Sequence, residues 1–115
     1  MLLGCYAKGV TMDISKSDWK LFRQRDPEWQ ERYMEQLIKE YVELLNSKEA
    51  ASELFWTLEK RIRMDKRHPG VRMELRKSNA IWDIAGLIRQ NVIAFDDLEE
   101  FSEELQEKVH YIIAL

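Results

Sequence analysis

One cysteine, two prolines and four glycines are all that this chain of 115 residues holds of the residue types that staple or interrupt a fold. The single thiol, Cys5, can form neither an internal disulfide nor a cysteine-based zinc site, which favours a reducing, cytoplasmic setting. So little Gly and Pro supplies too few turns for an all-β chain and points to long helices with short connections. Long apolar runs are also missing. The opening MLLGCYAKGVT lacks the charged start and extended apolar stretch of a signal peptide, and no segment reaches the length of a membrane span.

Recognisable reaction motifs are absent too. There is no Gly-rich phosphate loop, no His-Glu-x-x-His pair, no Gly-x-Ser-x-Gly elbow and no Asp-x-Asp-x-Asp-Gly calcium loop. His68 and His110 fall in a turn and a terminal helix, and neither has a Cys or Ser partner at a catalytic spacing. The expectation is a protein with no catalytic residue, no metal ligand set and no cofactor.

What the chain does contain is apolar residues at helical spacing, in a length that fits one domain with one core. Met12 offers an alternative start, which would make residues 1–11 an N-terminal extension without a role and 12–115 the helical domain. Ser17 can cap a short helix, Asp18 to Arg25, with Trp19, Leu21 and Phe22 inward. Asp26-Pro27-Glu28 then reads as a second helix start, Asp capping and Pro fitting the first helical position. That helix runs to about Leu45 on a stripe of Trp29, Tyr33, Leu37, Tyr41 and Leu44, widened by Met34, Ile38 and Val42.

Ser47 caps a third helix, Lys48 to about Lys66, with Leu54, Phe55, Leu58 and Ile62 inward and Trp56 off the stripe. His68-Pro69-Gly70 breaks it. A fourth helix is expected from about Val71 to Gln90, ended by Asn91 in a left-handed conformation. Asp96 and Glu99, spaced like a capping box, open a last helix from Asp97 to about Ile113. The expected fold is all-α: a single-domain bundle of about five helices, two or three of them long and amphipathic.

Charge is unevenly spread over these helices. Between Glu59 and Lys77 stand eight cations, Lys60, Arg61, Arg63, Lys66, Arg67, Arg72, Arg76 and Lys77, against three acids. Between Asp96 and Lys108 stand seven acids, Asp96, Asp97, Glu99, Glu100, Glu103, Glu104 and Glu107, and one Lys. The basic block could contact phosphates, but it also reads as two helix ends meeting at one turn, and the net charge of −3 argues against nucleic acid. A helix-turn-helix over Ser78 to Gln106 fails because its groove-entering helix would be acidic and phosphates would repel it. The acidic block could imitate a nucleic-acid backbone and block a basic groove, in the manner of an anti-CRISPR inhibitor. Its plainer reading is a solvated face, and pairing between the two blocks explains both.

Four tryptophans are generous for this length. Trp56, displaced from the inward stripe, joins Tyr111, Ile112 and Ile113 as a candidate interface for a protein partner or a homodimer.

The runs DWKLFRQRDPEWQERYMEQLIKEY, PGVRMELRKSNAIWDIAGLI and FDDLEEFSEELQEKV resemble a group of short, uncharacterised helical open reading frames of Gram-positive gut bacteria, often carried near mobile elements. The resemblance spans about Met12 to Ile113 and implies no activity. IRQNVIAFDDLEEF is similar to the helical pair of small bacterial C-terminal oligomerisation modules, over fourteen residues and with Asn91 where they carry Gly. Together these features lead to the expectation of a small non-enzymatic bacterial protein, regulatory in character, that acts by protein–protein interaction. Inhibition of a nucleic-acid machine and binding of nucleic acid through the basic segment are the competing expectations.

Overall fold

A computed structural model of the chain describes residues 11–115. The expected extension, Thr11 apart, and Cys5 lie outside the described residues. The architecture is all-helical, with no strand among the described residues. Its α-helices are α1 (Lys16–Leu45), α2 (Ala51–Asp65), α3 (Ala80–Arg89) and α4 (Glu103–Ile113), with 3-10 turns at Lys77–Asn79 and Phe95–Leu98. Among the described residues four helices therefore replace the expected five.

The difference begins at Pro27, which lies inside α1 rather than opening a helix. Ser15, not Ser17, is the cap: its Oγ accepts from the Asp18 N–H at 3.1 Å. Pro27 has no N–H for the carbonyl of Arg23, but both residues are on the solvent side, where water can satisfy that carbonyl. On the other side, Phe22 and Trp29 are both buried. They stand two turns apart, so a continuous helix puts them on one face and a break at Pro27 would separate them.

The last expected helix is interrupted in turn. Asp97 Oδ2 accepts from the Ala94 N–H at 2.8 Å and closes a 3-10 turn, while Ser102 Oγ accepts from the Leu105 N–H at 3.1 Å and starts α4 afresh. Residues 71–76, expected as helix, are irregular, and α2 begins at Ala51 without a side-chain cap in place of Ser47.

The core sits in a body formed by the N-terminal half of α1, α3, α4 and the segment between them. Phe22, Ile81, Ile84, Leu87, Leu98, Leu105, Val109 and Ile112 are sealed from solvent there. A line of rings, Trp19, Phe22, Trp29 and Phe101, crosses it with successive centroids 6.1 Å apart. Met12 packs against its edge.

Asn91 ends α3 with φ 60°, as its sequence position suggested. The Val92 N–H donates to Leu87 O at 2.9 Å and the Asn91 N–H to Ile88 O at 3.0 Å, a Schellman closure that consumes two orphan carbonyls. A β-branched residue is strained at that φ, so Asn91→Val should lower stability by about 1–2 kcal/mol and Asn91→Gly should not, as urea unfolding would measure.

The rest of α1 and all of α2 leave the body. The radius of gyration is 17.7 Å where a compact chain of this length gives about 13 Å, and the molecule extends 58 × 27 × 22 Å. No residue of α2 is buried. The return segment docks at Gly70, packed so closely on Tyr33 that an added Cβ would lie 2.5 Å from the ring. Tyr33 stacks on His68, centroids 4.6 Å apart, and His68 Nδ1 accepts from the Gly70 N–H.

Candidate interaction surface

The projecting α1/α2 hairpin is held by a polar clasp rather than by a core. The Arg61 guanidinium bonds Glu40 across the hairpin and Asp65 along α2, and lies over the Tyr41 ring at 5.5 Å. The Tyr41 hydroxyl donates to Asp65. Burial, and next its hydrogen bond to Asp65, push the Tyr41 phenol up to about 12. Tyr41 thus stays protonated as a donor throughout the neutral range.

Beside this clasp the hairpin exposes an apolar groove. Met34, Leu37, Ile38, Tyr41, Ile62 and Val71 line one lobe, of about 240 Å³, which also touches the stems of Asp65 and Lys66. Ile62 joins it to a second lobe with Phe55 and Leu58, of about 470 Å³. In these lobes Ile38 is 57% exposed, Ile62 37% and Phe55 64%, and farther along α1 Val42 is 51% and Leu45 46% exposed. Phe55 and Trp56 meet edge to face at 5.0 Å, each as exposed as the other.

This corrects the expected inward stripes. Phe55 and Ile62 on α2, and Ile38 and Val42 on α1, have no layer above them. The amphipathic period was legible, but the element that would cover it is not in the described chain. Of the four interface candidates only Trp56 is strongly exposed. Ile112 is 1% exposed, held in the core because α4 packs on α3, and Tyr111 and Ile113 are partly buried against that core.

The basic block does not act as one patch. Arg61 is committed to the clasp, Arg63 pairs with Glu59, and Arg76 pairs with Glu74 at 3.2 Å. Lys60, Lys66, Arg67, Arg72 and Lys77 are exposed, spread from α2 to the return segment.

The acidic block is likewise divided, between the 3-10 turn (Asp96, Asp97), the following turn (Glu99, Glu100) and α4 (Glu103, Glu104, Glu107). Its internal partners come from α1 and from α4 itself rather than from the basic block. Arg25 holds Glu100 at 2.8 Å and Glu28 at 3.1 Å, and Arg32 holds Asp97 at 2.9 Å. Glu104 pairs with Lys108. The Arg32 pairing and the Ala94 N–H hold Asp97 below its ordinary range despite burial, which alone would raise it.

Two polar features of the body gave no sequence signal. Asp18, in the first turn of α1, accepts from the Ser102 N–H at 3.0 Å and from its hydroxyl at 2.5 Å, locking the start of α1 to the start of α4. Lys108, 3% exposed, reaches Asp13 O at 3.0 Å. Both are acids or bases whose burial depends on groups more than eighty residues away, beyond any local pattern.

A further buried charged residue of the body is Asp26, 4% exposed, whose Oδ1 has no hydrogen-bond partner among the described residues. Burial first, and then the nearby Asp83 carboxylate, push it up to about 6. Asp83 is itself raised by burial.

Among the described residues no group of His, Cys, Asp or Glu is arranged to hold a metal, and no helix is long and apolar enough to cross a membrane. No protein-family model, curated protein or solved structure matches the chain.

Proposed function

We propose that this is a non-enzymatic binding protein whose working surface is the apolar groove of the α1/α2 hairpin. The observation that carries the reading is the division of labour in the fold. The body seals a contiguous apolar core, although Trp82 and Leu115 on its surface are exposed, while a fifteen-residue helix, α2, buries none of its own side chains. Large apolar side chains left side by side in a groove, with a charged rim, are the composition of a protein-binding face rather than of a nucleic-acid face. The polar clasp sets the groove's width without filling it.

A photo-crosslinking residue placed at Phe55 in living cells tests this. It should yield discrete protein adducts, whereas the same residue at Lys20, exposed on the N-terminal half of α1, should yield none. Equal, diffuse labelling from both positions would contradict the proposal.

The nucleic-acid reading of residues 60–77 requires converging free cations, and three of those eight already serve ion pairs on their own molecule. A gel-shift titration at two salt concentrations separates it, because phosphate contacts weaken steeply as salt rises.

A further inference from the structure

We infer that the occupant of the groove is a second copy of this chain, the two hairpins closing face to face into a four-helix bundle whose two-fold axis runs along the hairpins. The inference rests on the groove being a protein-binding face, and it names the partner.

Position on α1 comes first. Ile38 lies nine residues, or two and a half turns, beyond Trp29, so the exposed stripe Ile38, Val42 and Leu45 faces away from the body that Trp29 joins. Two hairpins can meet through this stripe with their bodies on the outside.

Level along the hairpin comes next. Ile38 and Ile62 line one lobe and stand within about a turn of each other in height, since Glu40 bonds Arg61 and Tyr41 bonds Asp65 across the hairpin. Toward the hairpin tip from that height come Val42 and Leu45 on α1 and Phe55 on α2. Toward the body, one turn on, come Glu35 on α1 and Lys66 on α2. With the two-fold axis along the hairpins, α1 of one copy lies over α2 of the other. Ile38 then meets Ile62 of the partner subunit, and Val42 and Leu45 meet Phe55 of the partner subunit. Glu35 meets Lys66 of the partner subunit, so the apolar levels coincide and opposite charges pair at the mouth.

Every helix in that bundle is antiparallel to its neighbours, which also opposes their dipoles favourably. An axis across the hairpins would instead stack α1 on α1 and leave Glu35 and Lys66 without these partners. Trp56, beside Phe55, falls at the rim.

The area agrees. The exposed fractions of Ile38, Val42, Leu45, Phe55, Trp56 and Ile62 amount to roughly 500 Å² per copy at a typical size for such side chains, close to the apolar share of a standard 800 Å² face.

Light scattering on the full chain tests this at concentrations from about 1 to 200 µM, since interfaces of this size bind at micromolar strength or better. The expected mass at the upper end is twice the chain mass of 13.8 kDa. Phe55→Glu should give one chain mass with unchanged helical circular dichroism. The axis is tested by charge reversal. Glu35→Lys alone and Lys66→Glu alone each place like charges at both mouths and should weaken self-association roughly tenfold. Mixing the two variants restores an opposite-charge pair at both mouths, so a heterodimer as strong as the wild-type dimer should form.

One chain mass for the wild type at every concentration would overturn the inference, while crosslinks from Phe55 to a different protein would then leave the binding-face reading standing. A dimer that survives Phe55→Glu, or a mixture that associates no better than its components, would overturn the proposed face or axis.

Discussion

Replacing Phe22 by alanine should remove about 3–5 kcal/mol of stability, and the same replacement at Phe55 should change it by less than about 0.5 kcal/mol. Phe22 is 0% exposed, its ring between Trp19 and Trp29, so truncation opens a cavity in the layer that joins α1 to α3 and α4. Phe55 is 64% exposed and touches little besides Trp56 and the groove wall. Truncation there opens no cavity, and alanine is the better helix former. Urea unfolding followed by circular dichroism, at a protein concentration too low for self-association, measures both. Similar losses at the two positions would mean that the hairpin shares the core of the body.

Acidification should stabilise this protein through Asp26, against the usual direction for carboxylates. Its folded pKa of about 6 stands above the ordinary 3.8, because a buried carboxyl without a partner at Oδ1 resists ionisation. Well below a pH of about 4 the group is protonated whether the chain is folded or not, and it costs nothing. As pH rises from about 4 to 6 the unfolded chain ionises in water while the folded chain keeps its proton, and above 6 the folded chain must hold the charge in its interior. The resulting loss is on the order of 3 kcal/mol and is complete above about pH 7.

Asp26→Asn should remove this dependence and raise stability near neutral pH by a similar amount. Asp97 and Glu59, held low by Arg32 and Arg63, act in the opposite sense and are common to both proteins. The informative quantity is therefore the difference in melting temperature between wild type and variant, which should shrink on going from about pH 7.5 to pH 5. A difference that stays constant with pH would show that Asp26 does not titrate as its burial requires.

Asp26 also shows where local sequence reasoning stopped. Asp-Pro-Glu is a sound helix start when judged locally, and that pattern predicts a cap at Asp26. The burial of Phe22 and Trp29 on one face overrides it, carries the helix through Pro27, and turns a capping carboxylate into a buried one. The all-helical class was legible from composition and apolar spacing, and the end of α3 at Asn91 and the break at His68-Pro69-Gly70 because each rests on the backbone chemistry of a few residues.

The start of α4 at Ser102 carried a cap signal of its own, but the apolar stripe of Leu98 and Phe101 masked it by continuing across the turn. The groove was half legible. Helical period identified Phe55, Ile62, Ile38 and Val42 as one-sided, yet period alone does not say whether the covering layer belongs to the same chain. Trp56 stands off the stripe for that reason, while Phe55, equally exposed, has the spacing of a core residue.

The most direct measurement is amide hydrogen exchange on the full chain at two protein concentrations, one well below and one well above self-association. Amides of α3 and α4 should exchange slowly at both, since they lie in a sealed core. Amides of α2 should exchange quickly in the dilute sample and become protected in the concentrated one, as the groove is covered. Protection of α2 equal to that of α4 in the dilute sample would contradict a body that stands alone beside an uncovered hairpin. Unchanged exchange of α2 in the concentrated sample would contradict its covering by a second copy.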